Sequence, residues 1–227
     1  MNHLQTVPAG HASPIAGGSA LQKNKVIRNT YALLSITLVF AALAASASVV
    51  MNLPHPGLIL TLAGYFGLLF LTAKLRNSVW GLVSVFGLTG FMGYTLGPII
   101  GHYLGLPNGA QTVMTAMGGT AAIFLGLSSY ALSTRKDFSF MAGFLTVAIL
   151  VAFLAGLAAM FFEISALSTI VSAAFVLLMS GLILYETSNI IHGGEPNYVM
   201  ATVTLFVSIF NLFTSLLHLL GFSNNNE

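Results

Sequence analysis

The sequence predicts an all-α membrane protein of seven transmembrane helices, and three observations predict it. Apolar residues make up 56% of the 227-residue chain. The seven basic and five acidic residues amount to 5% of it, where a soluble domain carries about 25% to cover its water-facing surface. From Tyr31 onward, apolar runs of spanning length alternate with polar joints too short to hold a soluble domain. This balance excludes a soluble enzyme. A net charge of +2 from so few groups points to no anionic partner, and no nucleic acid is expected to bind. The absence of cysteine removes disulfides, thiolate metal sites and cysteine nucleophiles.

Residues 1–24 differ from the rest. Pro8, Gly10, Pro14, Gly17 and Gly18 break any periodicity, so a disordered cytoplasmic tail is expected there. His3 and His11, isolated within it, are not read as a metal pair. A transmembrane domain is expected over 25–222, followed by a short outer tail at 223–227. Its spans fall at 31–51, 57–73, 79–100, 110–132, 138–160, 166–186 and 198–220. Each holds 17 to 23 residues, and roughly 20 are needed to cross ~30 Å of hydrocarbon. Ala45-Ser46-Ala47 has the form of a signal-peptidase site, but both the leader and the apolar run before it are too long for a signal peptide.

Basic residues set the orientation. Lys23, Lys25 and Arg28 precede span 1, Lys74 and Arg76 follow span 2, and Arg135 and Lys136 follow span 4. The joints after spans 1, 3 and 5 contain none. A cytoplasmic N-terminus and an outer C-terminus follow.

In lipid, helices pack through small residues that let backbones approach. Span 3 carries Gly93, Gly97 and Gly101 at four-residue spacing, and span 5 offers Ala148, Ala152 and Gly156. Span 4 aligns Thr115, Gly119, Ala122, Gly126 and Ser129, expected as its packing face. Pro98 should kink span 3 and free a backbone carbonyl. Thr204, Ser208, Asn211, Ser215 and His218 form a polar stripe down span 7, which should face inward and place that span at the centre. Interhelical glue and the lining of a conduit both fit the stripe.

Glu186 is the one acid expected within the membrane, about one to two turns inside the cytoplasmic end of a helix that stops at Gly193-Gly194. A carboxylate there must pair or take a proton. Lys74 and Arg76 are the candidate ion-pair partners, and a titratable gate is the other reading. Asp137 suits a helix N-terminus, while Glu163, Glu195 and Glu227 are read as solvated. No catalytic residue is expected. Ser180-Gly181 lacks the glycine context of an intramembrane protease nucleophile, His218 lies at a different depth, and no paired aspartates or zinc motif exist.

Several of these segments together resemble the Bax inhibitor-1 family. They are Arg28-Asn29-Thr30-Tyr31, Gly90 to Pro98, Gly118-Gly119-Thr120-Ala121, Thr134 to Phe140, and Glu186 to Glu195. The last run is similar to a bacterial branch of inner-membrane modulators of the FtsH protease. The resemblance covers about residues 25–222 and implies six helices around a central seventh. It also implies binding and restraint of a membrane-anchored ATP-dependent protease, with no cofactor and no enzymatic activity. Other members leak calcium or protons under the control of an acidic pair on the last two spans. Glu186 matches the first position of that pair, and the second falls on the uncharged Ser208. A calcium sensor is therefore incomplete here, since a hydroxyl cannot share a proton with an acid as a second carboxylate does. Glu186, Ser208 and Asn211 stand as candidate pH-sensing or gating residues of the alternative function, a pH-sensitive calcium or proton leak.

Overall fold

The structure, a computed structural model, describes residues 15–224, with side chains from 24 to 222. His3, His11 and the rest of 1–14 lie outside the described residues. Seven helices follow one another: α1 (Ile15–Val50), α2 (Leu58–Leu75), α3 (Val79–Leu104), α4 (Gly109–Thr134), α5 (Ala142–Phe161), α6 (Ser165–His192) and α7 (Tyr198–Asn224). All seven are long and apolar enough to cross a membrane, and no strand occurs among the described residues. The apolar runs thus form the expected seven-helix bundle.

Local chemistry explains where the helices begin and end. α1 starts at Ile15, ahead of its apolar run, because Ala16, Ala20, Leu21, Gln22 and Lys23 are strong helix formers that an existing helix recruits at little cost. α6 stops at Gly193, whose φ of 81° is left-handed and costs a glycine nothing. Span 5 opens differently from its expected start at 138. The Asp137 carboxylate accepts the Ser139 N–H at 2.8 Å and caps a short 3-10 turn, Ser139–Met141, before α5 begins.

The α1–α3 contact is built on glycines. A Cβ on Gly93 would run into the Ala41 backbone, and one on Gly97 into the Ser48 side chain, whereas one on Gly101 would meet nothing. Pro98 lies inside α3 and supplies no N–H to the Tyr94 carbonyl one turn back. The Ser48 hydroxyl of α1 donates to that carbonyl at 3.0 Å. The proline therefore turns an intrahelical bond into an interhelical one.

The small-residue stripe of α4 does not serve the bundle as expected. A Cβ on Gly119 would meet Leu216 at an ordinary 3.5 Å, but Thr115, Ala122, Gly126 and Ser129 are exposed, and a Cβ on Gly126 would meet nothing. α4 instead buries Thr112, Val113, Ala116, Thr120, Ser128 and Ala131. Small residues cover more than one face of this helix, so closeness of approach alone could not choose between them.

α7 packs against α1, α2, α3, α4 and α6. Half of its apolar span is buried, against 6% of α2, and no residue from 198 to 221 is exposed. Leu205, Phe206, Leu212 and Leu217 are its most enclosed apolar side chains, and Phe206 joins Leu34, Val85 and Leu88 in one core cluster.

Candidate functional site

The polar residues singled out in the sequence divide between the basic end of the bundle, where α2, α4 and α6 finish, and the interior of α7. Glu186 sits six residues before the end of α6 and is only 8% exposed. The groups that act on its carboxyl are Asn189, one turn further along α6, and the acid Glu195. The Gly193-Gly194 turn folds the chain back and brings Glu195 close, while the Glu195 carboxylate also accepts the Asn197 N–H at 2.8 Å. Lys74 and Arg76 are exposed, and neither is among the groups acting on Glu186. Arg76 contributes its backbone instead: Asn197 Nδ2 donates to the Arg76 carbonyl at 3.1 Å and to Asn77 Oδ1 at 2.8 Å, tying the two joints together.

The residues after Glu186 connect the rest of this end. The Thr187 hydroxyl lies 3.2 Å from the Tyr31 hydroxyl of α1 and 3.5 Å from the Ser128 hydroxyl of α4. Ser188 Oγ accepts the Phe138 N–H and donates to the Lys136 carbonyl, both at 3.0 Å. His192 Nδ1 is 2.8 Å from the Ser188 carbonyl. The last two turns of α6 thereby hold α1, α4 and the α4–α5 joint at once. In that joint, donation from the Ser139 N–H and hydroxyl holds the exposed Asp137 carboxyl below the usual carboxylate range, helped by the charge of His192.

Sequence reasoning missed Asn189, Glu195, Tyr31 and Ser128 as parts of this cluster. Only the Gly-Gly turn signalled that residue 195 could return toward 186, and nothing in the sequence paired α1 or α4 with α6.

The second group lies on α7. Ser208 is fully enclosed and donates to the Thr204 carbonyl at 2.8 Å. Asn211 Nδ2 donates to the Val207 carbonyl at 2.8 Å, and Thr204 to the Met200 carbonyl at 2.7 Å. His218 Nε2 lies 3.1 Å from Ser168 Oγ of α6, far along the chain from Ser180, whose hydroxyl donates to the Val176 carbonyl at 2.7 Å. Among the described residues, no three His, Asp or Glu side chains gather in a way that could hold a metal ion.

The family model described as inhibitor of apoptosis-promoting Bax1 matches residues 23–225. The chain is 52% identical over 208 residues, 92% of its length and 94% of the other, to an Escherichia coli protein named modulator of FtsH protease YccA. It is 56% identical over 202 residues to an uncharacterized Pseudomonas aeruginosa protein, covering 89% of this chain and 91% of that one. An uncharacterized membrane protein of Vibrio cholerae is 43% identical over 91% of this chain and 93% of its own. The match begins just before the apolar part of α1 and runs through α7, so it takes in the whole bundle together with the Glu186 cluster. The chain belongs to the Bax inhibitor-1 family.

Proposed function

We propose that this chain is a multi-pass protein of the bacterial inner membrane that binds and restrains a membrane-anchored ATP-dependent protease of the FtsH type. The observation that carries this reading is 52% identity, over 92% of the chain, to a protein named as a modulator of that protease. The chemistry of α7 fits a packed interior helix. Thr204, Ser208 and Asn211 each give a donor to a carbonyl of their own helix, which satisfies those donors within the bundle. The Glu186 cluster supports the reading, because its hydroxyls lock four segments together and make a bundle that resists extraction. The distribution of Lys25, Arg28, Lys74, Arg76, Arg135 and Lys136 supports a cytoplasmic N-terminus and an outer C-terminus.

The test is purification of the full-length chain from native inner membranes, with the protease followed by mass spectrometry and the lifetime of a membrane substrate measured alongside. The protease is expected to co-purify, and the substrate to persist longer when the chain is abundant. A chain that purifies alone, and by itself passes protons or calcium across liposomes, overturns the reading.

A further inference from the structure

The outer half of the bundle, opposite the basic end, has an opening between α2 and α5. These helices do not pack against one another, and a Phe66–Phe153 ring pair 6.2 Å apart bridges them. Behind the pair lies a cavity of about 330 Å³ with walls that include Leu62, Phe153, Leu157 and Phe175. Its floor is the polar side of α7, with Asn211, Thr214 and Ser215.

Ser215 is the unusual member of this floor. It is 8% exposed, lines the cavity, and its hydroxyl has no hydrogen-bond partner among the described residues. The acceptor a helical serine ordinarily uses, the carbonyl one turn back, belongs here to Asn211 and lies 3.1 Å from the Thr214 hydroxyl, which divides its one proton between that carbonyl and the Phe210 carbonyl at the same distance. Asn211 spends its amide on Val207 and turns the same floor polar with its remaining oxygen. Thr214 and Ser172, also at the cavity, both donate to carbonyls of their own helices. One donor and one acceptor are thus left facing a space walled by hydrocarbon.

Depth decides what can occupy it. Ser215 lies seven residues inside the end of the apolar span at Phe222, roughly 10 Å below it at 1.5 Å per residue. Phospholipid tails at that level carry neither donors nor acceptors, and an unpaired hydroxyl among them is costly. A transmembrane helix bearing Ser, Thr, Asn or Gln carries both. α2, the least buried helix, is the wall that yields most readily to such a guest.

We infer that the cleft between α2 and α5 docks a transmembrane helix of the partner protease, through a polar side chain of that helix hydrogen-bonded to Ser215 and Asn211. The inference rests on the protease-binding reading and gives it a location.

The chain has no cysteine, so single cysteines can be placed without background. Leu62→Cys and Phe153→Cys probe the walls, and Met114→Cys, on the exposed side of α4, serves as control. Each is paired with cysteines in the protease's transmembrane helices, in native membranes containing both full-length proteins. Cross-links are expected at 62 and 153 and not at 114. Ser215→Ala is expected to lower the co-purified protease about threefold, the scale of one interhelical hydrogen bond, while Ser215→Thr retains it. Protease that co-purifies equally with all variants and cross-links at 114 instead overturns the inference and leaves the protease-binding reading standing. Rapid modification of Ser215→Cys by a charged, membrane-impermeant maleimide would reveal a water-filled vestibule and overturn it as well. If the unaltered chain retains no protease at all, the parent reading has failed, and the docking site falls with it.

Discussion

Ser48 shows how one hydroxyl can replace what a proline removes. Pro98 leaves the Tyr94 carbonyl without its helical donor, and Ser48 supplies one from α1. Ser48→Ala orphans that carbonyl inside the bundle and is expected to cost about 1 kcal/mol, measured by denaturant titration in mixed micelles. An unchanged midpoint would mean the carbonyl finds another donor. Asp137 makes a second residue-level prediction through pH. Its folded pKa lies below its ordinary 3.8, chiefly because of the Ser139 N–H. A carboxyl depressed by folding adds stability above its unfolded pKa and loses it as the pH falls through the folded value. The protection factor of the Ser139 amide should therefore hold above pH 3.8 and decline below it, and Asp137→Asn should abolish that dependence. A decline that persists in Asp137→Asn would assign it to another group.

At the level of elements, Gly93 of α3 and Gly126 of α4, each a member of a small-residue stripe, have opposite roles. Gly93 lies against the Ala41 backbone, which cannot give way as a flexible side chain can. Gly93→Ala is expected to destabilise the α1–α3 pair by about 1–3 kcal/mol, the usual cost of overpacking. Gly126 faces open space, so Gly126→Ala should be neutral or stabilising by about 0.5–1 kcal/mol through helix propensity. Thermal unfolding of the two variants in detergent separates them, and equal losses would contradict the packing described here. The contrast also shows why a stripe of small residues identifies a helix capable of close approach without naming its neighbour.

For the whole molecule, topology and ion passage are the properties to measure. Reporters active only in the cytoplasm should be active after α2 and α4 and inactive at the C-terminus, and an active C-terminal fusion would overturn the seven-span orientation. In liposomes the unaltered chain is expected to pass neither protons nor calcium between acidic and neutral pH. Ser208→Asp places an acid at the position the family resemblance implies for the second member of an acidic pair, and we propose that a calcium-sensitive flux appears if that side chain can reach Glu186. Substantial pH-dependent flux in the unaltered chain, abolished in Glu186→Gln, would promote the leak instead. The two acids that the fold does bring together are Glu186 and Glu195, and the second belongs to a joint, outside the helices.

Apolar length determined, from the sequence alone, that seven helices exist and roughly where each apolar span lies, although α1 begins sixteen residues ahead of its expected span. Both are local properties, because lipid obliges every spanning segment to satisfy its own backbone within consecutive residues. The family resemblance was legible for a similar reason, since its motifs are short contiguous runs such as Glu186 to Glu195. Partnership between helices was not legible in this way. Lys74 and Arg76 share an end with Glu186, yet they stay exposed while Asn189 and Glu195 take the positions beside it. The stripe of α4 had the spacing of a packing face and turned outward. Ser215 looked like any other member of the α7 stripe until the structure showed it buried at the floor of the cleft between α2 and α5. Helix rotation is fixed by many small packing differences summed over all the neighbours of a helix, and that sum exists only once the tertiary structure has brought the neighbours together.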